Sequence, residues 1–343
     1  MKVNLTLTLT VLLSCLISLT GTYVIRSAAL HFHWLDRPGQ GKVHATPIPL
    51  LGGVGIYAGF VIAFWITNSQ TILQQSSAVL AGATLITIIG LYDDLRGMKP
   101  LPKLIAQILA AGALIAGGIY AQVTGIYSLD IAITVFWVVG ICNAQNLLDN
   151  MDGLSAGVAA IACFFFTLLA VSQGQVIIAA VSAALLGATL GFLRFNWHPA
   201  TIFMGDTGSL LLGFLLAALG IQLRFPSDLV LRTWMIPILV LAVPIFDTTL
   251  VSISRLRRGL RLTDGGKDHV SHRLRKMGLG VRQSVGAIYL ASGVCGTVTL
   301  LIALVHNTVL TYILTAIVIL AGLTALFILE QVDLSDTGQP QRR

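Results

Sequence analysis

Asn143, Asn146, Asp149 and Asp152 recur at every third position of the segment NAQNLLDNMDG, residues 143–153. On a helical path that spacing makes one polar stripe. Carboxamide and carboxylate oxygens suit a hard cation such as Mg2+, which takes oxygen ligands and keeps several waters. The same residue types form turns and caps, but four of them in register beside long apolar segments favour the ligand reading. Two adjacent carboxylates, Asp93 and Asp94, follow the apolar run that ends at Tyr92, and Lys103 opens the next run. Helical neighbours point about 100° apart, so the two aspartates are expected to do different jobs. Asp206, in NWHPATIFMGDTGS (196–209), reads as a helix N-cap. The amides after it would be open to an anion, and a second carboxylate oxygen would remain for a metal.

Basic groups accompany the acidic ones. Asp36 precedes RPGQGKVHATPIPLLGG (37–53), where three prolines stiffen the loop and Gly52-Gly53 permits close backbone approach. Lys42 and His44 within it fit either anionic lipid headgroups or a ligand. The longest polar loop, 255–282, carries nine Lys and Arg residues. Most of these suit lipid headgroups, but His269, His272 and Arg273, clustered with Lys267, offer donors matched to a diphosphate. Asp247, inside an apolar run, either supports the site or reaches the interface. Oxygen ligands for a divalent metal beside cationic groups for phosphate describe a phosphoryl-transfer site, where charge neutralisation and positioning do most of the work.

The elements that must position these groups are membrane helices. Of 343 residues 56% are hydrophobic and 10% charged, against about 25% charged in soluble domains. Eleven apolar runs stand out, approximately 3–25, 49–67, 77–92, 103–122, 130–147, 155–172, 175–193, 207–223, 231–253, 283–305 and 308–330. Most approach the roughly 20 residues that cross hydrocarbon. The expected fold is an all-α polytopic bundle in a single domain, 1–343, with residues 331–343 as a short tail. The first run is longer than a signal-peptide core of ~7–15 residues and is read as a retained helix. One alternate set of loops, 26–48, 93–103, 146–154, 194–206, 254–282 and the tail, holds 18 of the 21 Lys and Arg residues. By the positive-inside rule that set is cytoplasmic, with the amino terminus outside and the carboxyl terminus inside. The same rule accounts for the net charge of +7 without nucleic acid. Four cysteines, all within apolar runs and without metal-ligand spacing, read as packing residues. A substrate borne by the lipid bilayer follows from a site that abuts hydrocarbon in a chain with no room for a large soluble domain.

In matching order, DRPxxxKxHxxPxPxxGG, DD, NxxNxxDxxDG, FMGDTGS and the basic histidine loop resemble the polyprenyl-phosphate N-acetylhexosamine-1-phosphate transferases, glycosyltransferase family 4. Some members start envelope polysaccharides; another is the lipid I synthase of peptidoglycan. The resemblance implies Mg2+-dependent transfer (Mn2+ as a substitute) of N-acetylhexosamine 1-phosphate from a UDP-sugar to undecaprenyl phosphate, releasing UMP at the cytoplasmic face of the plasma (inner) membrane. Carried over by position, Asn146 and Asp206 resemble the metal ligands. Asp149 and Asp152 lie near them on the nucleotide side, and Asn143 falls in the same substrate-binding segment. Asp93 and Asp94 match the pair proposed to bind or activate the lipid phosphate, and Asp206 joins them in the catalytic set. Lys103 matches the lysine that grips the diphosphate. His269, His272 and Arg273 fall in the loop that closes on the nucleotide sugar, with Lys42 and His44 as further substrate contacts.

The chain departs from the family pattern in three places. Ser271 stands where the H-x-H-H run often has histidine, Gly41 replaces a basic residue often found before the first-loop lysine, and the triple histidine of the lipid I synthases is missing. UDP-N-acetylglucosamine is therefore the closer likeness for the donor. A lipid or solute transporter is the rival reading, although transporters place substrate near the bilayer midplane and this chain places its polar residues at one face. The exact sugar, the polymer served, one-step or covalent chemistry and the oligomeric state, a homodimer included, are left open.

Overall fold

The computed structural model describes residues 2–36, 46–225, 230–262, 266–305 and 307–334. Helix α1 (Lys2–His31) is followed by a two-residue antiparallel pair, β1 (Leu35–Asp36) and β2 (Ile48–Pro49). Then come α2 (Gly52–Thr67), α3 (Gln70–Gln75), α4 (Ser77–Arg96), α5 (Pro100–Ala116), α6 (Tyr127–Leu148), α7 (Leu154–Ser172) and α8 (Val176–Asn196). The chain continues through α9 (Gly205–Gln222), α10 (Val230–Val240), α11 (Ala242–Arg257), α12 (Val270–Lys276), α13 (Val281–Leu304) and α14 (Thr308–Glu330). Among the described residues eight helices are long and apolar enough to cross a membrane, α10 and α11 make a ninth candidate bent by 74°, and α2 and α5 are shorter apolar helices. Each apolar run read from the sequence falls on one of these, and the protein is an all-α polytopic membrane protein.

Some boundaries differ from the hydropathy reading, for a physical reason. α4 continues past its apolar stretch to Arg96 and stops only at Gly97, whose φ of 71° ends the helix. Asp93 and Asp94 therefore occupy its last turn, since polarity marks where hydrocarbon ends and only a breaker marks where a helix ends. The bend between α10 and α11 follows from Pro244, which lacks the N–H that would bond Val240 and crowds its carbonyl. The short helices α3 and α12 carry too little apolar sequence to register as runs.

α9 is apolar around its whole circumference and is buried almost throughout, packed by α2, α4 and α6; a helix with no polar face belongs in the core. α14 sits at the periphery with most of its large side chains exposed. In lipid, close helix packing rests on small residues. A Cβ on Gly53 of α2 would collide with the backbone of Gly208, one on Gly90 of α4 with that of Thr207, and one on Gly213 with Cys142 of α6. The single Ser14 hydroxyl hydrogen of α1 lies between the Ala184 (2.6 Å) and Gly59 (2.9 Å) carbonyls, within reach of both, which brings α1 against α8 and α2.

At one end of the bundle the carboxyl ends of α1, α4, α6, α8 and α11 meet the amino ends of α2, α5, α7, α9 and α13. Arg26 reaches Thr201, Gly53 donates to Met204, Gly153 donates to Asn196, and Arg282 reaches His198. Gly53→Val is expected to destabilise the fold by about 3 kcal/mol or more through overpacking of two backbones. Gly112→Ala, where an added methyl meets nothing within 4 Å, should leave stability unchanged or slightly raised. Thermal unfolding of the two variants in detergent checks the contrast.

Candidate active site

The site is built on the amino end of α9. The Lys103 ammonium, in the first turn of α5, pairs with the carboxylates of both Asp93 on α4 and Asp206 on α9. Asp94, the neighbour of Asp93, turns the other way: its oxygens accept the Asp206 amide (2.8 Å), the Thr207 amide (3.0 Å) and the Thr207 hydroxyl (2.6 Å). The two aspartates do divide their tasks. The expectation that Asp206 caps its own helix is corrected: Met204 holds the cap position without a side-chain bond, Asp206 lies in the first turn, and the capping carboxylate comes from Asp94. Gly205, at φ 69°, leaves room for this, because a Cβ there would collide with the Asp94 carboxylate.

α6 supplies the next wall. Asn146 donates its amide to Asp206 Oδ1 and to Ser209 Oγ, both at 2.9 Å. One turn back, Asn143 pairs with Gln107 of α5 (2.7 Å), so it joins the two helices behind Lys103 and Asn146 and makes no contact with Asp206. Asp149 follows the end of α6 and is half-buried, with no hydrogen-bond or ion-pair partner among the described residues. Burial, and then the charges of Asp206, Asp94 and Asp152, push its carboxyl up to about 8.

Asp152 is used for scaffolding. Its Oδ2 meets His198 Nδ1 (2.7 Å) and accepts the Ala200 amide (3.0 Å), which ties the turn after α6 to the segment before α9. Asn196 fastens the same joint, accepting from Gly153 and donating to Ile202, each at 3.0 Å.

The basic loop adds a second wall. Asp247, buried within α11, holds His269 Nδ1 at 2.7 Å and accepts the Val270 amide at the start of α12 (2.7 Å), so it supports this loop. His272 lies one turn on, with its ring 6.0 Å from that of His269. Burial, helped by the neighbouring His269, pushes the His272 imidazole down to about 4, leaving it neutral at pH 7. Arg273 is fully buried and spends its donors on the Asp268 carbonyl, the Leu329 carbonyl and Ser254 Oγ. Its guanidinium, with Glu330 also beside it, organises the loop, and full burial leaves it no surface for the phosphate contact expected of it. Asp268 is buried likewise and gripped bidentately by Arg255 (2.9 Å at both oxygens) and by Arg258, an arrangement costly to break from either side.

The structure thus gathers Asp93, Asp94, Lys103, Asn146, Asp149 and Asp206, and places His269 and His272 on a loop that touches the turn after Asp149. It sets Asn143, Asp152 and Arg273 in supporting bonds. Lys42 and His44 lie outside the described residues. Sequence reading missed Gln107, Ser209, Asn150, Asn196 and His198; Gln107, a polar residue one turn after Lys103 in an apolar helix, carried the clearest signal. Among the described residues no three His, Cys, Asp or Glu side chains are already gathered as a metal cage, and the Lys103 ammonium stands between two of the carboxylates.

Residues 76–224, which span Asp93 to Asp206, match the family described as Glycosyl transferase family 4. The chain is 35% identical over 288 residues to a probable undecaprenyl-phosphate N-acetylglucosaminyl 1-phosphate transferase of Bacillus subtilis, covering 81% of this chain and 80% of that protein. It is 32% identical over 319 residues to a decaprenyl-phosphate N-acetylglucosaminephosphotransferase of Mycolicibacterium smegmatis, covering 82% and 79%. A phospho-N-acetylmuramoyl-pentapeptide-transferase of Streptococcus uberis is 30% identical over 246 residues, covering 62% and 73%. The chain belongs to glycosyl transferase family 4, and it is a phosphoglycosyl transferase.

Asp94→Ala should cost about 1–2 kcal/mol of stability as a lost cap, with Asp94→Asn costing less, both read by thermal unfolding. For Asp149 the sign is set by a folded-state pKa raised above the unfolded ~3.9: the folded protein holds the extra proton between those values, so this group's contribution falls as pH rises from 4 to 8. Asp149→Asn should therefore stabilise the metal-free protein more at pH 8 than at pH 5, seen as a pH-dependent gap between the two melting curves.

Proposed function

We propose that the protein transfers N-acetylhexosamine 1-phosphate, with N-acetylglucosamine as the sugar, from a UDP-sugar to undecaprenyl phosphate, giving a polyprenyl-diphospho-sugar and UMP. The observation that carries this reading is the Lys103-bridged pair Asp93 and Asp206 on the capped end of α9, inside the matched family region. The names of the Bacillus and Mycolicibacterium relatives, which specify N-acetylglucosamine phosphate and undecaprenyl or decaprenyl phosphate, support both substrates. Gathering of the polar groups at one end of the bundle disfavours a transporter, whose site sits near mid-membrane.

In the reaction a lipid phosphate oxygen forms a bond to the β-phosphorus, the bond from that phosphorus to the bridging oxygen breaks, and UMP leaves. Asp93 is the aspartate of its pair with a carboxylate directed to the site, and it faces the lipid phosphate; Asp94 acts by fixing α9 and Asp206. Lys103 exchanges its carboxylates for the diphosphate. His269 and His272 border the nucleotide sugar. The donor chemistry fits Mg2+: Asp206 and Asp149, the latter a carboxylate raised by the like charges of Asp206, Asp94 and Asp152, would hold it beside Asn146. When bound it would neutralise charge on the phosphoryl oxygens.

Eleven spans, an outer amino terminus, an inner carboxyl terminus and a cytoplasmic site in the plasma membrane complete the proposal. They are supported by the 18 basic residues on one set of loops and by the alternation of carboxyl and amino helix ends at the site. The test is UMP release from UDP-N-acetylglucosamine, undecaprenyl phosphate and Mg2+ by the purified protein, followed by a panel of UDP-HexNAc donors. Activity lost in Asp206→Asn while the protein still folds is the expected outcome; no UMP from any donor in the panel would remove the proposal.

A further inference from the structure

Ser271 stands at the position where a histidine is often found in the family run, and the structure gives the serine a specific partner. Its hydroxyl donates to Asn150 Oδ1 at 2.5 Å, joining α12 to the turn that carries Asp149. The direction of every bond in this chain is determined. Asn150 Nδ2 donates to the Leu147 carbonyl at 2.8 Å, so Oδ1 is the atom that faces Ser271 and it can only accept. Ser271 has one hydrogen, spent on Asn150, and it is buried at 1% exposure. At its other contact, with His272 Nδ1 at 3.3 Å, the oxygen must therefore act as acceptor. The hydrogen of that bond belongs to His272 Nδ1. A neutral imidazole carries one N–H, and the bond made by one ring nitrogen fixes the state of the other. His272 Nε2 is then a bare lone pair, with no partner among the described residues on a half-buried ring.

From this relay we infer that His272 is a hydrogen-bond acceptor for the nucleotide sugar, taking an N–H or O–H of the ligand through Nε2, and that Ser271 and Asn150 are positioning residues that set its tautomer. The ligand named here rests on the proposed function; the tautomer does not. The consequence is specific: His272 does not grip the diphosphate as a cation, and the anionic part of the donor is left to Lys103. The charged groups around the ring, Lys267, Asp268 and the Asp247–His269 pair, are of both signs, and the three on the loop and α11 whose contacts are described are engaged with one another or with Arg255 and Arg258.

The tautomer is read in the full chain in lipid nanodiscs by nitrogen-15 NMR of labelled histidines, with the His272 signal assigned by its absence in His272→Gln. Free neutral histidine favours the proton on Nε2, so the expected wild-type result, a proton on Nδ1 and a bare Nε2, is diagnostic. Ser271→Ala should lose that preference, while Ser271→Thr, which keeps the hydroxyl, should restore it. A proton on Nε2 in the wild type overturns the relay whether or not the protein turns over UDP-sugars. In the UMP-release assay Ser271→Ala should raise KM for the UDP-sugar about fivefold, the worth of one neutral hydrogen bond. Its kcat and its KM for undecaprenyl phosphate should not move. Inhibition by UMP weakened to the same extent puts the donated hydrogen on the nucleotide; inhibition unchanged puts it on the sugar. An altered tautomer with no change in KM for the UDP-sugar overturns the ligand contact.

Discussion

The structure depends on how a membrane protein keeps several carboxylates together at the edge of its apolar core. Asp93, Asp94 and Asp206 come from two helices and Asp149 from the turn after a third, and like charges brought this close repel unless something cationic or a set of N–H dipoles lies between them. Lys103 answers for Asp93 and Asp206. The amides at the start of α9 answer for Asp94, because a helix amino end carries unsatisfied donors and a partial positive charge. Asp149 has neither. On the proposed reading, a bound cation would supply the compensation that Asp149 lacks among these residues.

Geometry this tight requires rigid support, and the surrounding residues supply it. Glycines 53, 90 and 205 let α2, α4 and the Asp94 side chain reach the α9 backbone without a side chain in the way. Asp152 with His198, and Asn196 with Gly153, lock the turn after α6 to the approach to α9. On the other wall, buried Arg255, Arg273 and Asp268 fix the loop that presents His269 and His272. Asp152, Arg255, Asp268 and Arg273, conspicuous charges in the sequence, are thus spent on holding others in place.

The fold was largely legible because hydrocarbon imposes a length and a composition on each helix, and the eleven apolar runs fall on helices or on the bent pair. The ends were less legible: α4 runs on to Arg96 since only Gly97 breaks it, and the bend at Pro244 reads as continuous in hydropathy. Within the site, the presence of Asp93, Asp94, Asn146, Asp149 and Asp206 together followed from spacing and residue type. The division of labour did not. Nothing local in the sequence says that Asp94 caps a helix 112 residues away, that Arg273 points inward, or that Asp152 pairs with His198, since each depends on a long-range contact. Asn143 and Gln107 show the same limit, as a reciprocal pair is invisible until its two helices are placed side by side.

On the proposed reading the Asp206 carboxylate is a shared cation position: it pairs with the Lys103 ammonium, and together with Asp149 it would hold a divalent ion when that lysine turns to the diphosphate. Mn2+ binding to the purified protein, followed by electron paramagnetic resonance without nucleotide, tests it most directly. Lys103→Gln removes the competing charge, so the affinity for Mn2+ should rise in that variant and be lost again when Asp206→Asn is added. An affinity unchanged or weakened by Lys103→Gln would contradict a shared cation position.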